Sequence, residues 1–103
     1  MKAVYADFMK CDYEGRLVLS CLGTFRDLKA HGISLEDGLE LAFYNEDEDD
    51  AGLRDDLIVR GVVEFDNKSK SWVARINWND IKNLSALPSE EVKQFEFLSA
   101  PLD

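Results

Sequence analysis

One hairpin in residues 57 to 78, LIVRGVVEFDNKSKSWVARINW, constrains the fold more than any other segment. If the chain reverses at the turn-rich DNKSKS, four pairs face each other on one side: Phe65 with Trp72, Val63 with Ala74, Gly61 with Ile76 and Val59 with Trp78. A slip of one residue would mix this apolar row with charged side chains, so the register is strongly specified. Both tryptophans are therefore predicted to lie in the core, and Gly61 is predicted to mark a bend or bulge.

Three further segments alternate apolar and polar residues in the manner of half-buried strands. Their apolar rows are Val4, Ala6 and Phe8, then Leu17, Leu19 and Cys21, then Leu39, Leu41 and Phe43. A hairpin turn at DYEG, residues 12 to 15, would place Cys11 opposite Arg16 and Cys21 opposite Ala6, too far apart for a disulfide. We therefore expect both cysteines to be reduced and packed in the core.

Helical patterns are shorter than the strand patterns. In TFRDLKAHG, Thr24 and Asp27 have the spacing of a capping box and Gly32 that of a C-cap, which favours one or two helical turns over a continuing strand. WNDIKN, residues 78 to 83, predicts a single turn capped by Asn79 or Asp80. Residues 88 to 103 leave two alternatives open, a helix beginning at Ser89 and a strand with the alternating Phe95 and Phe97.

The chain has 103 residues, of which 46% are hydrophobic and 32% charged, so we expect a single folded domain over residues 1 to 103. Asp7 and Lys10 interrupt any secretory signal, and no stretch approaches the ~18 apolar residues of a membrane span. These features predict a cytoplasmic location. The net charge of −9 would repel phosphate backbones and anionic lipid, which argues against nucleic acid and membranes as partners.

The order of these segments resembles the SH3-like small barrels. AVYADF resembles the opening strand of that family, and ISLEDGLELAFY, LIVRGVVEF, SWVARINW and the turn at DIKN follow its later succession of elements. The resemblance spans about eighty residues and implies a mainly β fold, a partly open five- or six-stranded SH3-like barrel with one or two short helical turns. Leu57 and Ile58 stand where peptide-binding members carry paired tryptophans, so proline-rich peptide recognition is not expected.

The most unusual segment is NEDEDDAGLRDD, residues 45 to 56, in which seven carboxylates accompany one arginine. Such a segment is typical of a solvated connection between strands, and it is also a candidate surface for a basic partner. The predicted partner-binding residues are Asp47, Glu48, Asp49, Asp50, Asp55, Asp56, Tyr44 and Trp78. Trp78 is included for the alternative that this indole lies at the rim of the barrel and not in its core. A calcium loop is a further alternative, with Asn45, Asp47 and Asp49 as its ligands, although the Gly and Glu of an EF-hand are misplaced.

No catalytic constellation accompanies these residues. His31 is the only histidine, the two cysteines lie in no metal-binding pattern, and no glycine-rich phosphate loop or nucleophile elbow is present. We therefore expect no catalytic residue, no enzymatic activity and no cofactor. The leading hypothesis is a protein-interaction module that meets a basic surface. A calcium-binding domain and an inhibitor or immunity-type protein that blocks a basic active site are the alternatives.

Overall fold

The computed structural model describes residues 1–98, which form one six-stranded mixed sheet with two helices. The strands are β1 (Ala3–Tyr5), β2 (Leu17–Val18), β3 (Glu40–Asn45), β4 (Leu57–Asp66), β5 (Ser71–Ile76) and β6 (Lys82–Asn83). The helices are α1 (Leu22–His31) and α2 (Ser89–Val92), and short 3₁₀ turns cover Trp78–Asp80 and Leu84–Ala86. The strand order is β1-β3-β4-β5-β2, with β6 also paired to β4. The predicted mainly β class is confirmed.

The hairpin of β4 and β5 has the predicted register over most of its length. Phe65 faces Trp72, Val63 faces Ala74 and Gly61 faces Ile76. The fourth pair was wrong, because β5 ends at Ile76 and Val59 instead faces Phe43 on β3. The physical reason is the next residue, Asn77, whose side chain accepts a hydrogen bond from the Asn79 amide and starts a 3₁₀ turn.

Trp78 consequently lies outside the core that the sequence predicted for it. Trp78 is the first residue of that 3₁₀ turn and is 42% exposed. Its indole Nε1 donates a hydrogen bond of 2.7 Å to the Gly15 carbonyl. Trp72, by contrast, packs against the main core and meets Phe65 edge-on, with ring centroids 5.1 Å apart. Only one of the two indoles therefore belongs to the hairpin's buried face.

The bulge predicted at Gly61 is also absent, since pairing is continuous through Gly61 with both Leu41 and Ile76. Space explains the glycine instead. A Cβ at this position would lie 2.8 Å from Ile76 Cγ2 and 3.1 Å from Phe43 Cε2, which leaves no room for a side chain.

The first third of the chain departs most from the predicted arrangement. β1 runs parallel to β3, and β2 pairs with β5, so β1 and β2 do not form the predicted hairpin. The chain does reverse at DYEG, but the local register differs by one residue, with Cys11 opposite Leu17 and not opposite Arg16. Cys11 pairs with Leu17 and is exposed, which corrects its predicted place in the core, and both cysteines are free thiols. Because β1 and β2 stand at opposite ends of the strand order, the sheet is not closed into a barrel, and the topology does not support the SH3-like identification.

The sheet is covered on both faces. The larger core lies under one face and is built from the predicted apolar rows of β1, β2, β3 and the β4–β5 hairpin, together with Leu28 of α1. A smaller cluster on the other face joins Ala3, Ala42 and Ile58 to Phe95 from the C-terminal segment. Of the two alternatives for residues 88 to 103, the helix forms over Ser89–Val92, and Glu96, between Phe95 and Phe97, pairs with Lys2 in an isolated parallel bridge. Residues 99–103 lie outside the described part of the chain. Within residues 1–98, no helix has the length and apolarity to cross a membrane.

Helix α1 completes β1 where a further strand is missing. Four backbone groups on this edge of β1 are hydrogen-bonded. The Ala3 amide donates to the Glu96 carbonyl, and the Ala3 carbonyl is bonded to His31 Nε2. The Tyr5 amide donates to Asp27 Oδ2, and the Tyr5 carbonyl accepts from the Thr24 hydroxyl. Thr24 and Asp27 are therefore not the predicted capping box, since Cys21 is the N-cap and has no side-chain cap bond. The predicted C-cap at Gly32 is confirmed by its left-handed φ of 70°.

Replacing Thr24 by Val tests whether the side chains of α1 stabilise β1 in place of a neighbouring strand. Thr24 is fully buried and its hydroxyl lies 2.6 Å from the Tyr5 carbonyl. Valine preserves the shape and the helix propensity but leaves the buried Tyr5 carbonyl without the hydroxyl. The free energy of unfolding, measured by urea titration, should therefore fall by about 1–3 kcal/mol. Thr24→Ser, which keeps the donor, is the control. A valine variant as stable as wild type would show that the bond does not matter.

Candidate functional site

Residues 46 to 56 form a small protruding hairpin, here called the acidic hairpin. Asp55 N–H donates to Asp47 O and Asp49 N–H to Leu53 O, each at 2.8 Å, and Glu48 pairs with Arg54. The tip turns at Gly52, which has a φ of +81°. The sequence predicted a loop at this place, and the structure shows regular hydrogen bonding in it.

The tip of the acidic hairpin is organised by one of its own carboxylates. Asp49 Oδ1 accepts hydrogen bonds from the amides of Ala51 and Leu53, each at 2.9 Å. This arrangement is the turn-stabilising use of aspartate, in which the side chain replaces a backbone acceptor. Asp49 therefore fixes the shape of the surface.

Three further carboxylates accept hydrogen bonds at the base of the hairpin, and two of them, Asp47 and Asp55, tie it to the body of the protein. Asp55 accepts bonds from the amide and hydroxyl of Ser85, and Asp47 accepts from Asn83 Nδ2 at 3.0 Å. Asp56 is buried and accepts two bonds from the Arg54 guanidinium, at 2.9 and 3.1 Å, which raise the pKa of Arg54. Asp55 and Asp56 thus have internal roles, although the sequence predicted them as partner-binding residues.

The remaining acidic side chains of the hairpin face solvent. Glu48 and Asp50 are exposed and make no hydrogen bond or ion pair within residues 1–98, and Glu46 is 66% exposed beside Arg54 at 3.4 Å. Leu53 adds an apolar side chain that is 66% exposed. The acidic hairpin therefore presents three free or nearly free carboxylates and one exposed leucine.

A groove adjoins the acidic hairpin and leads to α1. It is lined by Tyr5, Gly23, Arg26, Asp27, Tyr44, Glu46, Arg54 and Leu98. Tyr44 meets Tyr5 edge-on at 5.7 Å and donates its hydroxyl to the buried Asp27 carboxylate at 2.7 Å. Burial, and then the bond to Asp27, raises the pKa of Tyr44 to about 12, so this hydroxyl stays a donor at neutral pH.

The structure thus joins some predicted site residues and separates others. Tyr44 lines the groove at the base of the acidic hairpin, whereas Trp78 is bonded to Gly15 and lines neither that groove nor the depression among the hairpin carboxylates. Sequence reasoning missed Tyr5, Arg26 and Asp27 as neighbours of this surface. The available signal was the spacing of Thr24, Asp27 and Leu28, which places two polar side chains on the same helix face as a core leucine.

The proposed calcium ligands have other hydrogen-bonding roles. Asn45 Oδ1 accepts from the Phe8 amide at 3.1 Å, and Asp47 and Asp49 hold Asn83 and the hairpin tip. Among the described residues, no three histidine, cysteine, aspartate or glutamate side chains come close enough together to hold a metal ion.

A second cluster of charges surrounds Arg16, at the opposite end of the sheet. Its guanidinium donates to Asp12 at 2.9 Å, Glu64 at 2.6 Å and Asp66 at 3.1 Å, and its side chain is only 6% exposed. Hydrogen bonds from Ser69, followed by those from Tyr13 and Arg16, hold the pKa of Asp66 well below its ordinary value. Perturbed pKa values can mark active sites, but every charge here faces an internal counter-charge, so the cluster is structural.

Comparison with known proteins adds no assignment to this geometry. The chain matches no protein-family model, no curated protein and no solved structure.

Proposed function

We propose that the protein is an interaction module that uses the acidic hairpin, with Tyr44 at its base, to bind a basic protein surface. The observation that carries the proposal is the ordered presentation of Glu46, Glu48 and Asp50 on a protrusion whose shape is fixed from within. A preformed charged surface loses little conformational entropy on binding and accelerates the encounter with an oppositely charged partner.

The internal bonds of the hairpin support binding rather than a purely solvating role. Four carboxylates accept hydrogen bonds that fix the shape of the hairpin, those of Asp47, Asp49, Asp55 and Asp56. The side chains of Glu48 and Asp50 remain unpaired within the described residues. The like charges repel one another, and the hydrogen bonds hold them together in spite of that. The arrangement therefore concentrates negative potential in one place of a chain whose net charge is already −9.

Neutralising the free carboxylates tests this proposal. Glu48→Gln with Asp50→Asn removes two charges but leaves the hairpin bonds intact. We expect proteins that co-purify with the wild-type chain at about 0.15 M salt to associate at least about threefold more slowly with this variant, because charge complementarity acts mainly on the association rate. Quantitative mass spectrometry of the co-purified proteins, followed by surface plasmon resonance on the enriched ones, measures this effect.

The matched control changes the same number of charges elsewhere. Glu36→Gln with Glu90→Gln alters two exposed carboxylates outside the acidic hairpin and should leave association unchanged. An equal decrease in association rate for both variants would show that overall net charge causes the effect. No decrease for either variant would contradict the proposal. Thermal unfolding with calcium and with a chelator examines the calcium alternative, since an ion bound only by the native protein would raise its melting temperature.

A further inference from the structure

Helix α1 carries apolar side chains on the face that points away from the sheet. Leu22 is 87% exposed and Phe25 is 50% exposed, whereas Thr24, Asp27 and Leu28 face inward and are buried. Residues three apart on a helix are neighbours on its surface. Leu22 and Phe25 therefore form one apolar patch on a ten-residue helix.

The same helix face carries positive charge. Arg26 and Lys29 lie beside Leu22 at helical spacings of four and seven, and the only acidic residue of α1, Asp27, is buried. The Arg26 side chain is 68% exposed even though its Nε contacts Asp27 at 3.1 Å. Arg26 also lines the groove that Glu46 and Arg54 of the acidic hairpin border on the other side.

One continuous surface therefore runs from the negative acidic hairpin, across the groove, to the cationic and apolar face of α1. A surface with opposite charges at its two ends is complementary to itself after rotation by 180°, as a two-fold symmetric dimer interface requires. We propose that a second copy of this chain covers the α1 face. The acidic hairpin of each copy then meets the α1 face of the other, where Arg26 and Lys29 oppose its carboxylates and Leu22 and Phe25 oppose its exposed Leu53, and the two grooves lie at the centre.

This dimer shares the acidic hairpin with the proposed function but does not depend on it. Occupation of the hairpin by a second copy would compete with a basic partner, so self-association would regulate partner binding. The two ideas separate experimentally, because changes on α1 remove the dimer contact and leave the acidic hairpin intact.

Sedimentation equilibrium between about 10 µM and 1 mM protein at about 0.15 M salt measures the dimer directly. We expect the apparent mass to rise from 11.7 kDa toward twice that value. Leu22→Ser with Phe25→Ser should raise the dissociation constant at least tenfold, while Val62→Thr, at an exposed valine of the sheet, should leave it unchanged. A monomer at 1 mM, or equal effects of the two changes, would overturn the proposal.

A charge exchange tests the two-fold pairing itself. One variant carries Arg26→Gln and Lys29→Glu, and the other carries Glu48→Lys and Asp50→Lys. Each alone should be monomeric at concentrations where wild type dimerises, whereas their mixture should form a one-to-one dimer, because both contacts then join opposite charges. Circular dichroism verifies that both variants fold. If the mixture stays monomeric the pairing is wrong, and loss of basic-partner binding by the α1 variant would show that the two functions cannot be separated.

Discussion

Replacing Arg16 by Met should lower the melting temperature by more than about 10 °C. The methionine retains the apolar part of the side chain but removes the cation between Asp12, Glu64 and Asp66, two of which are themselves about 90% covered. Buried carboxylates without a counter-charge are strongly destabilising. Thermal unfolding followed by circular dichroism gives the measurement.

The matched control for Arg16 is Arg75, which also bonds to Glu64, at 2.9 Å, but has a side chain that is 54% exposed. An exposed ion pair contributes little, so Arg75→Met should shift the melting temperature by only a few degrees. Equal effects at the two positions would mean that burial does not decide the strength of this cluster.

The same cluster makes stability depend on acid. Hydrogen bonds from Arg75 and then Arg16 lower the pKa of Glu64, and the pKa values of Asp12 and Asp66 are lowered as well. A carboxyl group with a lowered folded-state pKa stabilises the fold above its unfolded value of about 4, and this contribution is lost as the pH falls through the folded value. Between about pH 5 and pH 2, wild type should therefore lose more stability than the Arg16→Met variant.

Gly61→Ala should destabilise the protein by about 1–3 kcal/mol, although alanine usually favours a strand over glycine. The added methyl group would lie 2.8 Å from Ile76 Cγ2 and 3.1 Å from both the Arg75 carbonyl oxygen and Phe43 Cε2. The backbone carbonyl belongs to a paired strand, so it cannot move aside without breaking the register of β4 and β5. Urea titration of the purified variant measures the loss.

A double-mutant cycle with Ile76→Ala isolates the cause. If steric overlap is responsible, Gly61→Ala should be less costly when the Ile76 side chain is shortened, because part of the space is then free. Additive effects of the two substitutions would instead point to the backbone, and a more stable Gly61→Ala variant would contradict the packing argument.

The sequence predicted those parts of the fold in which one short segment contains the whole pattern. Two facing apolar rows and a turn fixed the pairing of Phe65 with Trp72 and Val63 with Ala74, because a slip would have buried charges. The hairpin's end was predicted wrongly at Trp78, since alternation of apolar residues continues past the place where Asn77 turns the chain. The hydrogen bond that the Asn77 side chain accepts therefore ended the strand, although the alternation of apolar and polar residues continues.

The arrangement of β1 was beyond the sequence because its partners are distant. Alternation identified Val4 and Ala6 as buried but carries no information on whether a strand pairs parallel or antiparallel, and β1 lies parallel to β3, about forty residues away. The role of Thr24 and Asp27 depended on the same contact, so a local capping interpretation was the natural and incorrect one.

The candidate site was predictable in composition but not in shape. The density of charge in residues 45 to 56 and the neighbouring Tyr44 were visible directly. The division of the carboxylates was not, because Asp55 and Asp56 depend on Ser85 and Arg54, and the groove depends on the packing of α1 against β1. Charge runs indicate a surface, and only tertiary contacts decide which of its members remain free.

The side chains that α1 places along β1 also block this edge of the sheet from pairing with a strand of another chain. An uncovered strand edge offers its amides and carbonyls to any other chain and can seed stacked aggregates. Here Thr24, Asp27 and His31 already occupy those groups on Ala3 and Tyr5. Conditions that detach α1 while the sheet persists would therefore free this edge and let two chains pair strand against strand.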